Sequence, residues 1–104
     1  MDYSENPKKL SDLFDAILML KTREECEKFF NDVCTRKELR SISQRLEVAK
    51  LLTIRKTYNE IEKDTGASTA TISRVNRSLQ EGSQGYALVL DELIQQDLRR
   101  KMKK

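Results

Sequence analysis

The chain has no histidine and no tryptophan, a single proline, three glycines and two cysteines. Without histidine there is no imidazole acid–base catalysis, no Ser-His-Asp triad and no histidine-liganded zinc. Cys26 and Cys34 are too few and wrongly spaced for a metal site or a redox Cys-x-x-Cys pair. They read as small buried residues of a reducing cytoplasm. No apolar run approaches the roughly 18 residues that cross a bilayer, and the opening MDYSENPKK lacks the basic-then-apolar shape of a secretory signal. The residue set assembles no cleft nucleophile–base pair, which argues against an enzyme, and it calls for no cofactor or metal. The expectation is a soluble cytoplasmic protein without a membrane partner.

What is present fits one domain over residues 1–104. Hydrophobic residues make up 38% and charged residues 36%, so a monomer's core would be lean and a core shared between two copies is expected. Twenty Lys and Arg against seventeen Asp and Glu leave a net charge of +3. Such mild basicity permits nucleic-acid binding without demanding it.

Scarce glycine and proline, with no strand-like alternation, predict an all-α fold of about six helices. Asn6 is a good cap before Pro7, which suits a first helical position. Three Thr-x-x-Glu capping boxes follow, at Thr22–Glu25, Thr35–Glu38 and Thr57–Glu60, each opening an apolar-periodic segment. Helices are accordingly predicted at 7–20, 23–33, 36–54, 58–64, 69–80 and 85–101, with a basic tail over 99–104. The first helix carries Leu10, Leu13, Phe14, Ile17, Leu18, Met19 and Leu20, a stripe wide enough to imply burial on two sides.

Residues 57–80 carry the functional signal. Thr57 caps a short helix, Gly66 supplies a positive φ for a tight turn, and Ala67 is small enough for two helices to approach. Ser68 then caps a second helix, with Ile61, Ile72, Val75 and Leu79 available to hold the pair together. This is the layout of a helix-turn-helix, whose second helix presents its N-terminal side chains to base edges in the major groove. Thr69, Thr71 and Ser73 bring hydroxyls, Ala70 suits a thymine methyl, Asn76 could reach adenine, and Arg74 and Arg77 suit phosphate or guanine. Hydroxyl and β-branched residues are poor helix material, so a purely structural role explains the run badly. Arg55, Lys56, Lys63, Arg74 and Arg77 outnumber Glu60, Glu62 and Asp64 here, whereas residues 1–54 balance to zero. The positive excess falls where DNA contact is predicted.

The stretch Gly66–Arg74 with Ser78 and Leu79, preceded by Gln44–Leu52, resembles the reading head and preceding helix of the Trp repressor superfamily. Arg45–Ala49 and Thr65–Val75 bring the resemblance closest to the YerC/YecD group of Trp-repressor-like DNA-binding proteins of Gram-positive bacteria. The resemblance spans about residues 9–95 and is specific over 40–80. It implies an intertwined all-α homodimer whose first three helices and last helix interlock between subunits.

The expected function is therefore a sequence-specific DNA-binding transcriptional regulator, a repressor in character, whose partners are double-stranded DNA and a second copy of itself. Ser68, Thr69, Ala70 and Ser73 are assigned to the groove, Arg74 and Arg77 to phosphates or the ligand-pocket wall, and Lys56, Asn59 and Lys63 to the flanking surface. The alternative is a helical dimer serving as a protein-interaction or small-molecule sensor module, its DNA binding weakened by Glu60, Glu62 and Asp64. By resemblance, Thr35, Arg45, Thr71, Arg74 and Ser78 keep the residue types that line the family's tryptophan pocket. Val75 stands where the family has glycine and would fill that space. Counted from the Gly66 turn, it also occupies an inward packing position. Both arguments imply DNA binding without tryptophan as corepressor; any other small effector is unspecified.

Overall fold

A computed structural model describes residues 7–102, all of whose regular structure is helical. The Asn6 cap and the Lys103–Lys104 end of the basic tail lie outside the described residues. The helices are α1 (Pro7–Leu18), α2 (Arg23–Val33), α3 (Arg36–Thr53), α4 (Tyr58–Thr65), α5 (Thr69–Glu81) and α6 (Gly85–Met102). Their bounds agree with the predicted ones to within two residues. The largest difference is at the end of α1, where Met19 N–H is shared between Asp15 and Ala16 carbonyls and Leu20 N–H bonds to Ile17. Such short-range bonds tighten the last turn and stop the helix before Met19.

The capping boxes form unequally. At Thr35 and Thr57 both halves close: the threonine hydroxyl accepts from the Glu N–H at 3.0 and 3.1 Å, and the carboxylate accepts from the threonine N–H at 2.8 and 2.9 Å. At Thr22 only the hydroxyl half forms, because Glu25 accepts instead from Lys21 N–H at 2.7 Å. These bonds hold the carboxyl groups of Glu38 and Glu60 below the usual carboxylate range, with the backbone N–H as the larger cause.

The chain divides into two compact units, one ending at Leu39 and the other beginning at Arg40. In the first, no residue of α1 or α2 is buried. Phe14 is 57% exposed, Leu18 81% and Met19 71%. The expectation that both cysteines are buried fails in this chain: Cys26 is exposed and Cys34 half-buried, both as free thiols. The reason is the same for all of them, since neither helix closes a core within the unit.

The second unit does have a core. Val48 and Ala49 of α3, Ile61 of α4, Ala67 of the turn, Ile72 and Val75 of α5 and Leu90 of α6 are buried, with Leu46, Leu51, Leu52, Tyr58, Leu79 and Tyr86 packed against them. Lys50 adds a polar tie, bonding Asp97 on α6 at 2.6 Å and Glu47 at 3.2 Å. Among the described residues, no helix is long and apolar enough to cross a membrane.

Candidate nucleic-acid interface

The α4–α5 pair is built as the sequence predicts. Gly66 sits at φ 73° and ψ 4°, the left-handed conformation that any other residue adopts only under strain, and its N–H closes α4 on the Glu62 carbonyl. Ala67 is buried directly after it, where a longer side chain would separate the helices. Thr65 fastens the turn from within, its hydroxyl donating to the Ile61 carbonyl at 2.7 Å and accepting from Ala67 N–H at 3.1 Å. From α3, the Gln44 amide donates to the Thr65 carbonyl at 3.1 Å. Ile61, Ile72 and Val75 are buried between the elements, and Leu79 is half-buried. The turn is thus fixed by backbone geometry, a side-chain clasp and apolar packing together.

That packing decides which side of α5 faces outward. Thr69, Ala70, Ser73, Arg74 and Arg77 are exposed on it, as are Lys56, Asn59 and Lys63 on and beside α4. Neither Arg74 nor Arg77 forms an ion pair among the described residues, so both guanidinium groups are available to an external anion. Lys56 lies 4.0 Å from Glu60, an exposed pair that constrains it little. The surface therefore offers four cationic side chains around a short, small-residue helix face.

Three of the hydroxyl and amide groups are already engaged. Ser68 is exposed, but its hydroxyl accepts from Thr71 N–H and donates to the Thr71 hydroxyl, each at 3.1 Å, so it works as the α5 cap. Asn76 is half-buried and its amide points to the Tyr58 hydroxyl at 3.4 Å while accepting from Gln80 at 3.3 Å. The expectation that Asn76 reaches adenine is corrected by this: it staples α5 to α4. Thr69 donates its hydroxyl proton to the Glu62 carboxylate across the turn.

The residues matched to a ligand pocket are only partly brought together. Arg45 and Ser78 line one groove of about 550 Å³ with Leu46, Tyr86 and Val89. Thr71, Arg74 and Val75 do not line it, and Val75 is 1% exposed, packed in the core. Thr35 belongs to the first unit, where its hydroxyl caps α3. Tyr86, Val89 and Glu62 carried no such signal in the sequence. Tyr86 and Val89 read as an ordinary apolar stripe, and a contact between residues seven apart across a turn follows no helical spacing.

Comparison with known proteins agrees with this architecture. The family described as Trp repressor protein matches residues 8–94. The uncharacterised protein YerC of Bacillus subtilis is 54% identical over 86 residues, covering 83% of each chain. A candidate Trp repressor from Staphylococcus aureus superposes with a TM-score of 0.81 at 52% identity, over 89% of this chain and 94% of that one. A TrpR-like protein from Eubacterium eligens gives 0.81 at 51% identity, over 88% and 95%.

Proposed function

The chain belongs to the Trp repressor protein family, and from that premise we propose that it is a sequence-specific transcriptional regulator, a repressor, that reads DNA as a homodimer. The observation that carries the reading is the outward face of α5. Thr69, Ala70 and Ser73 stand exposed on the first turns of a helix fixed by a Gly66 turn, flanked by Arg74 and Arg77, which form no ion pair among the described residues. A helix-turn-helix places such a face in the major groove, with small side chains at base edges and cations at the phosphates. Ser68, as the cap, sets the entry of α5, and Lys56, Asn59 and Lys63 flank the groove on the α4 side.

The first unit supports dimerisation, since its Phe14, Leu18 and Met19 are left in water by the single chain. We assign these side chains to a second copy, with which residues 1–104 work as one intertwined domain in the cytoplasm. A dimer carries two reading helices and so matches a near-palindrome with half-sites about 10 bp apart, a spacing general to helix-turn-helix dimers, the Trp repressor among them. Buried Val75 braces α5 from inside the protein, so DNA binding needs no tryptophan. Selection from a random duplex library tests the reading. Enrichment of a near-palindrome supports it; recovery of no sequence above input contradicts it and favours the alternative, a dimeric partner-binding module.

A further inference from the structure

Glu62 is an odd residue to find beside a DNA-reading helix. It is half-buried at the end of α4, forms no ion pair among the described residues, and accepts the Thr69 hydroxyl proton across the turn. In this bond the threonine hydroxyl donates and the glutamate carboxylate oxygen accepts. Thr69 is the first residue of α5 and exposed. With its single proton committed to Glu62, its hydroxyl can only accept from anything beyond.

Resting on the DNA-binding reading above, we propose that Glu62 and Thr69 form an acceptor-only pair that reads the exocyclic amino group of a base in the major groove, cytosine first. The major groove shows only two kinds of base donor, the N4 amino group of cytosine and the N6 amino group of adenine. Guanine presents two acceptors, and thymine an acceptor and a methyl group. Facing the Glu62 carboxylate, those lone pairs meet repulsion and leave Thr69 without a partner. Adenine's donor lies between two acceptors, its own N7 and the O4 of the paired thymine, whereas cytosine's has an acceptor on one side only, the O6 of the paired guanine, so cytosine is favoured over adenine. The same charge that weakens general attraction to DNA thus discriminates at one base pair per half-site, by penalising the wrong base as much as by binding the right one. Glu62 is a specificity residue, and the arrangement distinguishes it from exposed Glu60, whose carboxylate is turned back into the Thr57 cap.

The test uses the full-length chain and duplexes carrying its selected consensus, with each base pair contacted by the start of α5 varied in turn. The wild type should prefer cytosine at one such pair, and replacing that cytosine by 2-pyrimidinone, which lacks the amino group, should weaken binding roughly five- to tenfold. Glu62→Ala and Thr69→Val should each flatten the preference at this pair and make the analogue's loss small. Both must keep wild-type discrimination at the other pairs, which also shows that they fold. Guanine or thymine as the preferred base, or an undiminished cytosine preference in Glu62→Ala, overturns the inference while leaving the DNA-binding reading intact. Failure of the wild type to bind any duplex overturns both.

Discussion

The Lys50 ammonium on α3 lies 2.6 Å from the Asp97 carboxylate on α6, with Glu47 at 3.2 Å on the same ammonium. Lys50 is raised above its ordinary pKa, chiefly by the bond to Asp97, and Asp97 is held below its own by the same bond. The raised amine stabilises the fold fully below the unfolded lysine value and loses that contribution as pH climbs through the folded one. The depressed carboxylate contributes above the unfolded aspartate value and loses it as pH falls through the folded one. The melting temperature of Lys50→Met should therefore trail the wild type by a constant amount between about pH 5 and pH 9. The gap should narrow below about pH 4 and above about pH 10. A gap unchanged in acid would show that the bridge does not contribute.

Light scattering at micromolar concentration should return about 24 kDa, twice the 12.1 kDa chain mass. Replacing Leu18 by Glu, at a position 81% exposed in the single chain, should shift the mass towards the monomer. Aliphatic surface of this extent is seldom left in water without a partner. A wild-type monomer would contradict the shared-core account.

Ala70→Glu should abolish selective binding while preserving helicity and dimer mass, because Ala70 is exposed on the outer face of α5. Arg77→Ala should weaken binding to all sequences about evenly, as loss of a phosphate contact does. Anisotropy titrations on the consensus and a scrambled duplex separate the two effects. Unfolding of Ala70→Glu would place that residue in the core instead.

Affinity for the consensus should be the same with and without about 1 mM tryptophan, because buried Val75 occupies the inner side of the reading helix. A tenfold tightening, equivalent to about 1.4 kcal/mol, would contradict this.

The helices were legible because their start signals are local. Thr35 and Thr57 each carry a glutamate three residues on, and the bonds that define the cap span only those residues. Gly66 and buried Ile61, Ile72 and Val75 were readable for the same reason, as turn chemistry and helical period within one short segment. The half-formed box at Thr22 was not, since the choice of Glu25 between two adjacent N–H groups depends on how the chain enters the helix. The fate of Asn76 and Thr69 was also hidden. Each is decided by a partner on α4, Tyr58 or Glu62, whose distance depends on the packing angle of the pair. The residue type of Cys26 predicts burial, but a single chain that leaves α2 uncovered exposes it.

The salt dependence of affinity for duplex DNA tests most directly whether this chain holds DNA through the cations around α5. Lys56, Lys63, Arg74 and Arg77 are exposed in each protomer. If all of them meet phosphates in a dimer, the logarithm of the binding constant should fall against the logarithm of salt with a slope of about −7. The Arg77→Ala dimer, lacking two such contacts, should fall less steeply, near about −5. Absence of binding at about 50 mM salt, or a slope close to zero, would contradict the account.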